Sequence, residues 1–211
     1  ITNNGTLNWN TGQITSAAGS TLTNNATMTI AASNESTVQI NFVNAVGGTV
    51  TKAGNGVPQT IPTSFTNHGT LSIPTATAMT FTGAFTNSGT VSVSGTGTFT
   101  KTGGSMTFNG GSFGGAGTLT LSGAIAVSGT AAFQPAFATV NHNAGTMTGS
   151  GGAMNVPSGT TYSFNVGATL AGFSGVANAG TFNITSTVGI EQNITNNGTL
   201  NWNTGQITSA A

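Results

Sequence analysis

Charge is nearly missing from this sequence. Of its 211 residues 2% are charged, namely Lys52, Lys101, Glu35 and Glu191, and neither Asp nor Arg occurs. Soluble domains carry roughly a quarter of their residues as Asp, Glu, Lys and Arg. A chain this neutral has no field to steer a polyanion or a charged substrate, which argues against nucleic acid as a partner. Cysteine is absent, so disulfides and thiolate chemistry are excluded. With its abundant Gly, Thr, Ser and Asn, the chain fits a secreted or cell-surface protein built without disulfides. The longest apolar runs are a handful of residues, against the roughly 20 that a spanning helix needs, so no membrane-spanning segment is expected.

The same shortages bear on catalysis. Glycoside hydrolysis ordinarily needs two carboxylates flanking one bond, and Glu35 and Glu191 stand far apart in the chain. Elimination chemistry on polysaccharides would draw on Arg or on Ca²⁺ held by acidic oxygens, which Asp-free sequence does not provide. His68 and His142 have no Cys or Asp to complete a metal set, and they read as single exposed or turn histidines. Ser and Thr are plentiful, but no base and orienting group can be named beside any of them. The run Gly110 to Gly117 lacks the Lys and helix of a phosphate loop. Lys52 and Glu35 are the pair a Glu-assisted Lys–Asn isopeptide would use. No catalytic residue, cofactor or metal is expected.

What is present points to order. Hydrophobic residues make up 36% of the chain, with 12 Phe and recurrent Val, Ile and Thr; disordered segments are poor in these types. The strongest signal is an exact repeat. Ile1 to Ala18, ITNNGTLNWNTGQITSAA, returns unchanged as Ile194 to Ala211, an offset of 193 residues. Residues 1–193 therefore read as one full tandem repeat and 194–211 as the start of the next, a window from a longer array.

Within the period a shorter motif recurs: apolar, Thr, Asn, any residue, Gly, Thr, apolar, small polar, apolar. Its anchor Gly, or Ala at 26, stands at 5, 26, 48, 69, 89, 117, 145, 180 and 198. The alternation predicts strands with one buried face. Spacings of this length without helical periodicity predict coils stacked in parallel. The expected fold is all-β, a right-handed parallel β-helix (β-solenoid) with about eight coils per 193-residue repeat. Pro58, Pro62, Pro74, Pro135 and Pro157 fall mostly beside corners, where a missing N–H breaks no ladder.

Side-chain columns follow. Leu7, Met28, Val50, Leu71, Val91, Leu119, Met147, Phe182 and Leu200 should point inward, as should Trp9, Ile30, Ile73, Val93, Leu121, Ile184 and Trp202, with irregularity at Lys52 and Gly149. The Asn two before each anchor, at Asn3, Asn24, Asn67, Asn87, Asn143, Asn178 and Asn196, should form an amide ladder at a bend. The anchor Gly beside it is expected to take positive φ, at a cost for Ala26. Outward, Thr6, Thr27, Thr49, Thr70, Thr90, Thr118, Thr146, Thr181 and Thr199 should line one column. A flat Thr-x-Thr array would resemble β-solenoid ice-binding proteins, but Asn or Ser interrupts it in five of nine coils, at Asn8, Ser72, Ser92, Asn183 and Asn201.

Gly115-Ala116-Gly117-Thr118-Leu119-Thr120-Leu121-Ser122-Gly123 resembles the strand repeat of autotransporter passengers, and the Asn-x-Gly-Thr-apolar anchors resemble the coils of filamentous-haemagglutinin-like adhesins. The resemblance implies a right-handed parallel β-helix serving as a surface stalk, fibre or adhesin. The functional expectation is a structural repeat unit of a long extracellular fibre. Its partner would be itself, end to end or laterally, with a glycan-binding adhesin shaft as the alternative.

Overall fold

The computed structural model describes residues 1–15, 17, 19–31, 39–54 and 57–208. Among them are 24 strands and no helix. The strands pair in parallel and wind into a β-solenoid of about nine turns with three faces. The first face starts with Thr2–Asn3, Thr21–Asn24, Asn41–Asn44, Phe65–Asn67 and Phe85–Asn87 stacked in register. The second starts with Thr6–Trp9, Thr27–Ile30, Thr49–Lys52, Thr70–Ile73 and Thr90–Val93. The third begins at Gln59–Ile61 and Ala78–Phe81. Partners one turn apart are 18 residues apart at Asn178 and Asn196 and 23 apart at Asn44 and Asn67.

Alternation decides what is inside. Most of these strands alternate a buried residue with a half-buried or exposed one, so every second side chain enters a narrow core. Phenylalanine fills much of it: Phe42, Phe65 and Phe85 stack up the first face with ring centroids 5.8 and 6.0 Å apart, and Phe81 and Phe99 up the third at 4.6 Å. Such offset stacks add to the area buried.

Midway the loops vanish. Thr98–Phe108, Ser112–Ser128 and Ala136–Gly149 are single strands that turn corners. They do so at glycines such as Gly104 (φ 72) and Gly123 (φ 75), in a region that side chains with a Cβ rarely adopt. The Gly-rich run is therefore packing. A Cβ at Gly114 would stand 2.2 Å from the Ala136 carbonyl oxygen.

Most anchor glycines serve the same purpose and not the left-handed backbone expected of them. Of the anchors only Gly145 has positive φ (84°), and Ala26 has none. At Gly89 a Cβ would lie 2.1 Å from the Gly69 oxygen one turn below, so the corner admits only hydrogen. Nor do Lys52 and Gly149 break the columns. Lys52 stays in register with Ile30, buried, its Nζ donating to the Ala53 carbonyl at 3.0 Å. Gly149 pairs with Val127, and the Phe173 ring fills the space its side chain would take.

The eight anchor intervals are not eight turns. Thr6, Thr27, Thr49, Thr70 and Thr90 are partners on the second face, but the partner above Thr90 is Ser112. Thr118 stands on the third face between Thr98 and Thr139. Thr146 pairs with Thr169 beside the first face, and Thr181 and Thr199 return to the third. The expected single Thr column is thus three pieces, because the motif suits any corner and moves between them. Following the first face upward from Asn3, Ile190 lies nine turns on, and Asn196 comes one face later. The period holds nine turns and one face.

Candidate functional site

The most organised polar feature is the asparagine ladder inside the bend between the first and second faces. Asn3 Nδ2 donates to Asn24 Oδ1 at 2.7 Å, Asn24 to Asn44 at 2.9 Å, Asn44 to Asn67 at 2.8 Å and Asn67 to Asn87 at 2.8 Å. Each amide also donates to backbone, as Asn67 does to the Thr90 carbonyl at 3.0 Å. Asn24, Asn44, Asn67 and Asn87 are buried, so these bonds form where water cannot compete. The ladder stops at Asn87, because its partner above is Phe108. It restarts on the second face, where Asn178 donates to Asn196 at 2.7 Å.

Two departures from the motif are instructive. Asn44 is a ladder member four residues before its Gly instead of two, because Val46 and Gly47 lengthen that corner. Asn143 is not a member. It lies exposed and accepts from Asn165 at 2.9 Å on the outside, since the chain there runs around the corner within a strand. Asn67→Ala should cost about 2–3 kcal/mol, since Asn87 Oδ1 then stays buried without its donor. Urea unfolding monitored by circular dichroism measures it, with Thr66→Ala on the outer side of the same strand expected within about 0.5 kcal/mol of wild type.

Ionisable groups are inside as well. Lys101 occupies an inward third-face position between Phe81 and Leu121. Its Nζ donates to the Gly83 carbonyl at 2.8 Å and to that of Gly103, and burial pulls its pKa down to about 8. His142 is fully buried, contrary to the surface position expected of it. Its Nε2 lies 3.1 Å from the Gly145 carbonyl and its Nδ1 3.2 Å from Tyr162 Oη. That geometry selects the neutral tautomer, with Nε2–H donating and Nδ1 accepting from the phenol. Burial lowers the imidazole pKa to about 4 despite the Gly145 bond, and it raises that of Tyr162. The apolar alternation gives no sign of these residues, since their positions are those of Leu and Phe one turn away.

Among the described residues no three His, Cys, Asp or Glu side chains converge; Glu35, with the isopeptide chemistry considered for it, lies outside them. His68 is exposed, its Nδ1 2.6 Å from Ser88 Oγ. A cleft of about 300 Å³ opens beside Phe108, Gly111, Ser112, Phe113, Ala131 and Gln134. The second face changes register there: Gly114 pairs with Ala136 above it, whereas Phe133 begins the column of Met154, Val176 and Ile194. Phe108 and Phe113 are only 4% and 5% exposed, so neither ring offers a sugar a face to stack on.

The end rung is different. Its strands Ile194–Asn196, Thr199–Trp202 and Ile207–Thr208 rest on the turn below in register, and on top Leu200, Trp202 and Ile207 are 40%, 59% and 39% exposed. In the identical stretch at the other end Trp9 is 5% exposed, and Thr27–Ile30 lies on its strand. No known protein family, curated protein or solved structure matches the chain. The fold itself defines a β-solenoid repeat protein.

Proposed function

We propose that this chain is a structural repeat unit of a long extracellular or cell-surface β-solenoid fibre, with no catalytic role. One observation carries the reading: the repeated sequence is built to be covered on both sides. At its first occurrence it bears the next turn, Thr21–Asn24 and Thr27–Ile30, in register above it. At its second it sits in register on Val176–Asn178 and Thr181–Ile184. The same residues thus accept a turn from above and a turn from below, which is what a repeat boundary inside a continuous fibre requires. The cysteine-free, nearly uncharged composition and the likeness to filamentous-haemagglutinin-like and autotransporter repeats support a position outside the cell.

A chain of two or more tandem repeats tests it. Nine turns and one face at about 4.8 Å per turn give a rise of roughly 45 Å per repeat. Electron microscopy should show rods that lengthen by this amount with each repeat, and fibre diffraction should put the 4.8 Å spacing along the rod. A particle whose length does not grow with repeat number, or strands running along the axis, would refute the fibre.

A further inference from the structure

One corner of the solenoid is a residue too long. Between the first and second faces, Ser88 and Gly89 are the two residues that join Asn87 to Thr90, whereas three residues, Asn109, Gly110 and Gly111, join their partners one turn above, Phe108 and Ser112. Gly111 takes the place over Gly89, whose oxygen leaves no room there for a Cβ. Gly110 is therefore the extra residue. It has a φ of 114°, and a Cβ added to it would meet nothing within 4 Å. In the corners below, the N–H groups of Gly69 and Gly89 are tied to the Asn44 and Asn67 carbonyls. Among the described residues nothing accepts the Gly110 N–H.

The residue before Gly110 is Asn109, and it is exposed. We propose that Asn109-Gly110 is a self-modification site, where Asn109 loses its side-chain amide as ammonia and becomes an aspartyl or isoaspartyl residue through a cyclic succinimide. The Gly110 nitrogen gives its proton to hydroxide and bonds to Asn109 Cγ, and Oδ1 takes up the negative charge. The Thr130 N–H donates to that oxygen at 3.4 Å, where the charge develops. Collapse of the oxyanion breaks the Cγ–Nδ2 bond, and the nitrogen leaves as ammonia with a proton from water. Water then opens the ring. Addition at Cγ gives aspartate, and addition at the Asn109 backbone carbonyl gives isoaspartate. The balance is amide plus water to carboxylic acid plus ammonia, with no oxidant or cofactor.

An Asn-Gly pair is not enough by itself. The same pair stands at Asn4, Asn55 and Asn197; Asn55 lies outside the described residues, and Asn197 belongs to the repeat of the Asn4 stretch. Asn4 is exposed as well, and its Oδ1 accepts from Asn25 Nδ2 at 2.7 Å, so its carbonyl is no less polarised than that of Asn109. The two sites differ in the nucleophile. The Gly5 N–H is held by Asn3 Oδ1 at 3.2 Å, and the Gly110 N–H is held by nothing. Conversion at Asn109 would place a carboxylate on a chain whose formal net charge is zero, beside the Phe113 cleft that Gly110 and Gly111 line. The surface so gains negative charge with age.

The 211-residue chain is aged in mildly alkaline buffer, folded and in urea. Chymotrypsin releases Asn109 in the peptide Asn109–Phe113 and Asn4 in a peptide that begins at Ile1. Mass spectrometry then counts conversion at each, and labelling by isoaspartyl methyltransferase marks the isoaspartyl product. In the folded chain Asn109 should convert roughly fivefold faster than Asn4, the factor that one ordinary hydrogen bond on the nucleophile withholds. In urea, where that bond is gone, the two rates should come together. Isoelectric focusing should show an acidic band that grows in step with Asn109 conversion and is largely lost in Asn109→Gln, a substitution at an exposed position. Equal rates at Asn109 and Asn4 in the folded chain, conversion of Asn109 only after unfolding, or an acidic band that Asn109→Gln keeps in full would overturn the site.

Discussion

Leu119→Asp should destabilise the chain by about 4 kcal/mol or more, while Thr120→Asp, one residue along the same strand, should cost about 1 kcal/mol or less. Leu119 is fully buried, with Phe99 below and Val140 above in register. A carboxylate there would enter a dry column with no cation or donor aimed at it. It must either stay charged at a large desolvation penalty or take up a proton, and both outcomes weaken the fold. Thr120 lies between Thr100 and Asn141 and is half-buried on the outer side, so a carboxylate in its place keeps its water and loses only strand propensity. Because each turn touches only its neighbours, the core variant should open the middle of the solenoid before its ends. Hydrogen exchange would locate the opening and urea midpoints would size it. Equal midpoints for the two variants would show the inward and outward assignment to be wrong.

That assignment is the part of the fold most legible in sequence. Two-residue alternation gives the inside directly, and Met28, Val50, Leu71, Val91, Leu119, Met147 and Phe182 are all buried. Alternation carries no information about which of three faces a strand occupies. The anchor motif marks a corner without saying which one, so it could move from the second face at Thr90 to the third at Thr118 unmarked. Only the intervals of 28 and 35 residues, longer than any turn, hint at the shift. The ladder was legible where the corner has constant length and was lost where it does not. Two inserted residues hide Asn44, and a corner turned without a loop leaves Asn143 outside.

The buried polar side chains escaped for a related reason. A position between Phe81 and Leu121 asks for an apolar residue, and Lys101 meets that demand with its methylene stem while its ammonium reaches two corner carbonyls. What permits it is the bend at Gly103 and Gly104, which turns the Gly103 oxygen toward the ammonium. Such accommodation depends on where carbonyls point, which composition and periodicity do not encode.

His142 makes the same kind of exchange, and its consequence appears in acid. Buried between Leu121 and Phe164 and bonded to Tyr162 and Gly145, its imidazole is held neutral, with a pKa of about 4 in place of the ordinary 6.5. The folded chain thus binds this proton less readily than the unfolded chain. Stability is complete above pH 6.5, falls as the pH drops toward 4, and levels off below. A depression of this size amounts to about 3 kcal/mol across that window. For a chain of this length the thermal midpoint should fall by roughly 6–12 °C between pH 7 and pH 4. Side-chain carboxylates can add little, since Glu35 and Glu191 are the whole supply. The double variant His142→Leu/Tyr162→Phe continues the apolar column and leaves no phenol without an acceptor. Its midpoint should be nearly flat over the same range, while Tyr162→Phe alone should keep most of the slope, because burial is the dominant cause of the shift. A wild-type midpoint that is unchanged from pH 7 to pH 4 would mean that His142 gains its proton without opening the core, and the neutral buried imidazole would have to be given up.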